Sequence, residues 1–108
     1  AAQAPHALER ALGEALTEPK AKVWFEPGEP LEPGLGASLD RRSRMLYDAA
    51  HVFLNGESFR AGGRDAALMH RLADRRMLTA PEVARLSPGA RELLDQWTED
   101  GWVQPLKP

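Results

Sequence analysis

His6, His51 and His70 are the side chains best suited to ligate a metal or to move a proton near neutral pH. No two stand at ligand spacing, and none begins a His-x-Asp or His-x-Glu pair, so the usual motif of a non-haem iron facial triad cannot be assembled from them. His-Glu-x-x-His does not occur, and the absence of cysteine removes thiolate zinc sites, disulfides and a cysteine nucleophile. Ser38, Ser43, Ser58 and Ser87 lack a Gly-x-Ser-x-Gly context, and Ser87 is explained as a helix cap. Gly34-Leu35-Gly36 and Gly62-Gly63 match neither a phosphate-binding loop nor a dinucleotide fingerprint and read as turns. Asp95, Glu99 and Asp100 fall on a helix face opposite Leu94 and Trp97, where solvated charge is ordinary. No catalytic, cofactor-binding or metal-ligating residue is assigned.

A chain of 108 residues fits one small domain with a single modest core, since about 60 to 70% of the unfolded surface is buried at this size. A large enclosed enzyme pocket is not expected. The 14 basic and 16 acidic residues give a net charge of −2, but they are unevenly divided. Residues 1–40 carry −4, the arginine-rich stretch 41–76 carries +4, and residues 77–108 carry −2. Such asymmetry marks either a partner surface or acidic and basic segments that lie against each other. No apolar run approaches the roughly 18 residues of a membrane span, and the first residues lack the features of a secretory signal. A cytoplasmic protein with no membrane partner is expected. Its start at Ala1 without a methionine suggests a part of a longer protein.

The elements that would position any site follow from periodicity. Leu8, Leu12 and Leu16 form a one-face stripe over Pro5 to Leu16, a short amphipathic helix that Pro19 stops and that needs something to pack on. Lys20 to Asp40, rich in Pro and Gly, reads as an irregular connector, with no internal repeat in the chain. Inside it, Val23-Trp24-Phe25 needs burial or an interface. Asn55-Gly56 between two apolar-containing runs predicts a hairpin, and Arg44 to Tyr47 extends it to a three-stranded meander. Asp65 can cap a helix with Leu68 and Leu72; Thr79-x-x-Glu82 opens a second; Ser87-Pro88 opens a third, which Gly101 ends. Trp102-Val103 gives a last short strand before Pro105.

This inventory is that of an α+β, winged-helix-like domain, with a core of Leu46, Val52, Leu54, Leu68, Leu72, Val83, Leu86, Leu94, Trp97 and Val103. The boundaries expected are a helix at 1–18, a connector at 19–43 and the winged helix at 44–108. The third helix, in the DNA-reading position, carries Arg91 against Glu92, Asp95, Glu99 and Asp100. An acidic helix there opposes phosphates, so DNA recognition is not expected. The arginines at 41, 42, 44, 60, 64, 71, 75 and 76 leave an RNA contact open.

Leu16 to Lys20, Val23 to Pro27, Arg41 to Tyr47 and Phe53 to Phe59 together resemble the C-terminal part of bacterial JmjC/cupin-fold ribosomal oxygenases. The resemblance covers about Leu8 to Pro105. Such proteins are 2-oxoglutarate- and Fe(II)-dependent dioxygenases that hydroxylate an arginine of a ribosomal protein. It implies an N-terminal catalytic barrel outside this chain, a dimerisation segment ending near Leu16, and a C-terminal winged helix. Fe(II) and 2-oxoglutarate belong to the parent protein; no residue here inherits a ligand role, so this chain alone is not expected to be an enzyme. The resemblance makes the chain an accessory module that supports a homodimer and positions the substrate. Candidate interface residues are Leu8, Leu12, Leu16, Trp24 and Phe25; Glu92, Asp95, Glu99 and Asp100 are a candidate acidic surface for a basic ribosomal protein. The alternative is an independent winged-helix module that binds protein or RNA.

Overall fold

Asn55 and Gly56 both take positive φ, +49° and +91°, as a type I′ turn requires. The turn joins β3 (His51–Leu54) to β4 (Glu57–Arg60), and β2 (Met45–Tyr47) pairs with the other side of β3, giving an antiparallel sheet of order β2-β3-β4. This is the expected meander. The computed structural model describes residues 7–20 and 23–106; His6 and the side chain of Leu8 lie outside the described residues.

A second antiparallel sheet departs from expectation. Its order is β5-β1-β6, built from β1 (Gly36–Leu39), β5 (Met77–Leu78) and β6 (Val103–Leu106). The central strand therefore comes from the stretch expected to be irregular throughout. Local propensity is weak there, but partners on both sides satisfy its backbone, and Ala37 and Leu39 are buried. β6 runs through Pro105 rather than stopping before it, which a proline without an N–H allows on an edge strand.

Three helices complete the winged helix: α2 (Gly63–Arg75), α3 (Ala80–Ala84) and α4 (Pro88–Glu99). Thr79 and Glu82 form the reciprocal capping box of α3. Ser87 Oγ accepts from the Ala90 N–H, with Pro88 in the first turn of α4, and Gly101 follows its end at φ +81°. Asp65 does not cap its own helix, as the sequence had suggested. Gly62 holds the N-cap position without a side-chain bond, and the Asp65 carboxylate accepts from Ser87 N–H at 3.0 Å and Ser87 Oγ at 2.6 Å. Those bonds hold the Asp65 carboxyl below its ordinary pKa and tie the start of α2 to the start of α4.

Both sheets and the helices share one core, in which Trp97 of α4 meets Phe59 of β4 edge to face at 5.3 Å between centroids. Nine of the ten expected core residues are buried. Leu46 is the exception at 44% exposed, because its neighbour Met45 occupies the inward position of β2. Leu31, Ala37, Leu39, Phe53, Met69 and Leu78 are also buried.

The N-terminal helix, α1 (Ala7–Thr17), lies on the meander through its small residues. A Cβ on Gly13 would stand 2.6 Å from the Phe53 ring, so glycine is what allows the helix so close. Buried Thr17 Oγ accepts from the Gly56 N–H at 2.9 Å and donates to the Gly13 carbonyl at 2.9 Å.

Two outcomes follow. Gly13→Ala, a change that stabilises an ordinary helix interior by about 0.5–1 kcal/mol, is expected here to destabilise by about 1–3 kcal/mol, read as a lower urea midpoint; a raised midpoint would contradict the docking of α1 on Phe53. Glu82 is held at about 2, below its ordinary 4.5, by the Thr79 N–H and then by Arg75 and Arg71. A carboxylate with a depressed folded pKa stabilises above its unfolded value and loses that contribution as pH falls. The melting temperature of the native chain should thus approach that of Glu82→Gln as pH falls from 4.5 to about 2; a constant gap across that range would refute the assignment.

Candidate functional site

Docking α1 through Gly13 and Thr17 turns its leucines outward: Leu12 is 57% and Leu16 55% exposed. Beside them on β2, Leu46 and Tyr47 are exposed as well, and together with Phe53 these residues border a shallow cavity of about 190 Å³. Tyr47 is fixed in place. Its hydroxyl donates to Asp74 at 2.8 Å, which raises the phenol pKa, and its ring stacks on His70 at 3.9 Å. The surface is thus a held, contiguous apolar face rather than scattered side chains.

Trp24 and Phe25 part company. Trp24 is 81% exposed, whereas Phe25 meets Trp102 edge to face at 6.4 Å and lies under the Arg42 guanidinium at 5.7 Å. Leu12, Leu16 and Trp24 are therefore available to a partner, and Phe25 belongs partly to the fold.

The acidic face of α4 is also divided. Glu92 and Glu99 are exposed. Asp95 is not a free surface charge: it accepts from the Leu31 N–H at 3.2 Å and from Arg91 Nε at 3.1 Å, while Arg91 donates to the Leu31 carbonyl. Asp100 accepts from Gln96 at 3.2 Å. With the Gly28 N–H on the Glu99 carbonyl at 2.9 Å, these bonds clamp the connector along α4. Gly28 and Gly101 permit the close approach: a Cβ on Gly28 would stand 2.8 Å from the Thr98 carbonyl, and one on Gly101 would overlap the Glu26 carbonyl.

The clamp lays the segment carrying Glu26, Glu29 and Glu32 along α4, from Glu99 at its C-terminal end back to Asp95 and Arg91, an acidic group that reasoning from α4 alone missed. A signal was present: Glu-Pro recurs at 26, 29 and 32, a short repeat at the three-residue period of polyproline II geometry. That corrects the expectation of a chain without repeats.

Four of the eight arginines of the basic segment are bonded within the fold, while Arg71, Arg75 and Arg76 among them stay solvent-exposed. Arg42 pairs with Asp40 at 2.9 Å, Arg71 and Arg75 both reach Glu82, and Arg76 donates to the carbonyls of Asp40 and Ser43. Arg41, Arg44, Arg60 and Arg64 remain exposed. Among the described residues, no group of three or more His, Asp or Glu could hold a metal ion. His51 is buried on β3 beside Asp48, and His70 stacks on Tyr47. These residues do not fit an iron centre.

Comparison with known proteins gives a consistent picture. A family model described as ROXA-like winged helix matches residues 1–104. Among solved structures, Escherichia coli YcfD, described as a ribosomal oxygenase, superposes with a TM-score of 0.77 at 21% identity, over 95% of this chain and 31% of YcfD. Another YcfD structure gives 0.77 at 19% identity, over 94% and 30%. One with cobalt and 2-oxoglutarate bound gives 0.76 at 20% identity, over 94% and 31%. The chain thus spans about a third of the length of the proteins it superposes on. No curated protein matches it. With a match running from α1 into β6, the chain belongs to the ROXA-like winged-helix family.

Proposed function

We propose that this chain is the non-catalytic C-terminal module of a cytoplasmic 2-oxoglutarate- and Fe(II)-dependent ribosomal-protein hydroxylase, whose JmjC/cupin barrel lies outside these residues. The observation that carries the reading is family membership over residues 1–104 combined with a span of about a third of YcfD. Iron and 2-oxoglutarate would be held by the barrel, since the described residues supply no ligand set. Among the described residues no helix is long and apolar enough to cross a membrane.

Within that reading residues 1–18 end the dimerisation region, 19–43 connect, and 44–108 form the winged helix, which recruits β1 from the connector. The apolar face of Leu12, Leu16, Leu46 and Tyr47 packs on a second copy, and burial of such a face is worth about 25 cal/mol per Å² before the costs of association. The acidic surface of Glu92, Glu99 and the neighbouring connector attracts a basic ribosomal protein. The alternative, an independent RNA-binding module, would rest on the exposed Arg41, Arg44, Arg60 and Arg64, since Arg42, Arg71 and Arg75 are already paired with carboxylates.

Residues 1–108 incubated with Fe(II), 2-oxoglutarate and a ribosomal-protein substrate are expected to form no substrate-dependent succinate; clear turnover would sink the accessory reading. Light scattering should give a two-chain mass that Leu12→Glu with Leu16→Glu converts to one chain, a loss of affinity of at least about tenfold, with an unchanged circular dichroism spectrum. A native chain that is monomeric at every concentration would remove the dimer role. Trp24→Ser should leave the unfolding free energy within about 0.5 kcal/mol, whereas Phe25→Ser should cost about 1–3 kcal/mol; equal effects would contradict their different burial.

A further inference from the structure

A cavity of about 510 Å³ forms a groove between the Glu-Pro segment and β6. Its walls are apolar where Pro27, Pro30, Leu35 and Pro105 face it, and Glu26, Glu29 and Glu32 line the same groove. Among the described residues no lysine or arginine lines it. Arg42 lies near enough to Glu26 to feel its charge, but none of the three carboxylates has an ion-pair partner within 4.0 Å among the described residues.

The opposite wall is β6, the edge strand of its sheet, whose side away from β1 has no strand partner among the described residues. Leu39 N–H donates toward β5 and Asp40 N–H toward Trp102 beside β6. By the alternation of an antiparallel ladder, the backbone of Ser38 then faces Gln104, and that of its neighbour Val103 faces outward from the sheet. The groove therefore combines two kinds of complementarity, an apolar floor and a row of carboxylates, beside a strand edge on which Val103 is buried and Gln104 and Pro105 are exposed.

We propose that this groove binds an extended basic peptide, with arginine or lysine heads on Glu29 and Glu32 and aliphatic side chains against the prolines and Leu35. The carboxylates repel nucleic acid phosphates, and the apolar floor of Pro27, Pro30, Leu35 and Pro105 favours a peptide with apolar side chains over a simple polyamine. This deepens the client-binding part of the function proposed above and rests on that reading for its biological sense. The binding itself is read directly, so an error in the oxygenase assignment leaves the measurement valid.

The test titrates the full chain into a fluorescein-labelled peptide of about eight residues alternating arginine and valine, a strand of about 27 Å, followed by anisotropy in about 50 mM salt. Saturable binding is expected, weakened at least about fivefold by Glu29→Gln with Glu32→Gln and by raising salt to about 300 mM. Both glutamates are exposed, so the variant should fold normally, checked by its melting temperature. Glu57→Gln on β4, an exposed carboxylate outside the groove, should bind like the native chain. Amide resonances of Val103 and Gln104 should shift on titration. No binding at low salt, undiminished binding by the double variant, loss through Glu57→Gln alone, or equal binding of spermine would each overturn the proposal.

Discussion

The turn between the two sheets holds the rest of the molecule in register. Asp40, 3% exposed, ends β1, and its carboxylate accepts from the Arg42 N–H and Nε, both at 2.9 Å, and from Gln104 Nε2 at 2.6 Å. The Arg42 bonds hold the Asp40 carboxyl below its ordinary range despite the opposing effect of burial. Three residues on, Ser43 Oγ donates to the Trp102 carbonyl at 2.8 Å and accepts from Asn55 Nδ2, while Asn55 Oδ1 accepts from the Arg44 N–H. One sheet is thereby bonded to the hairpin turn of the other. Arg76 closes the joint on the carbonyls of residues 40 and 43. Asp40, Ser43 and Asn55 are buried at the centre of this joint, so removing a partner that leaves one of them unsatisfied costs about 1–3 kcal/mol.

That joint also explains the fate of the charge asymmetry. An arginine-rich stretch of net +4 beside an acidic one looks like a surface for nucleic acid when only the string is considered. In the folded chain Arg42 and Arg76 serve the joint, and Arg71 and Arg75 converge on the carboxylate that caps α3. Glu26, Glu29 and Glu32 of the connector and Glu92 and Glu99 of α4 stay exposed. Carboxylates so placed oppose phosphates locally.

Local signals made the meander, the α3 capping box, the Ser87-Pro88 start and most of the core legible in the sequence, because each depends on residues within a few positions of one another. The features that escaped depend on distant partners. Gly36 to Leu39 is a strand because Met77–Leu78 and Val103–Leu106 flank it, and nothing within the segment announces them. Asp65 sits at a capping position yet is used by Ser87, 22 residues away. On three-residue β2 the alternation could begin at either Met45 or Leu46, and the packing of Met45 decided it. Of the candidate surfaces, the leucine stripe and the exposed tryptophan were legible, while the carboxylates of the groove needed the clamp between Leu31 and Asp95.

Helix α1 shows why an amphipathic pattern identifies an apolar face without saying what that face meets. Periodicity alone assigns the leucine stripe to burial. Within the chain, however, the helix is held by Gly13 on Phe53 and by Thr17 on the Gly56 N–H, a close contact of small residues that larger side chains could not make. Rotating the helix to bury Leu12 and Leu16 on β3 would lose both contacts and force the backbones apart. The two faces consequently differ: the small one fixes α1 to the meander, and the apolar one, continuous with Leu46 and Tyr47, stays exposed. A stripe kept at more than half exposure on a helix that is already docked lies outside the core of this chain, which is the physical reason the periodicity and the burial disagree.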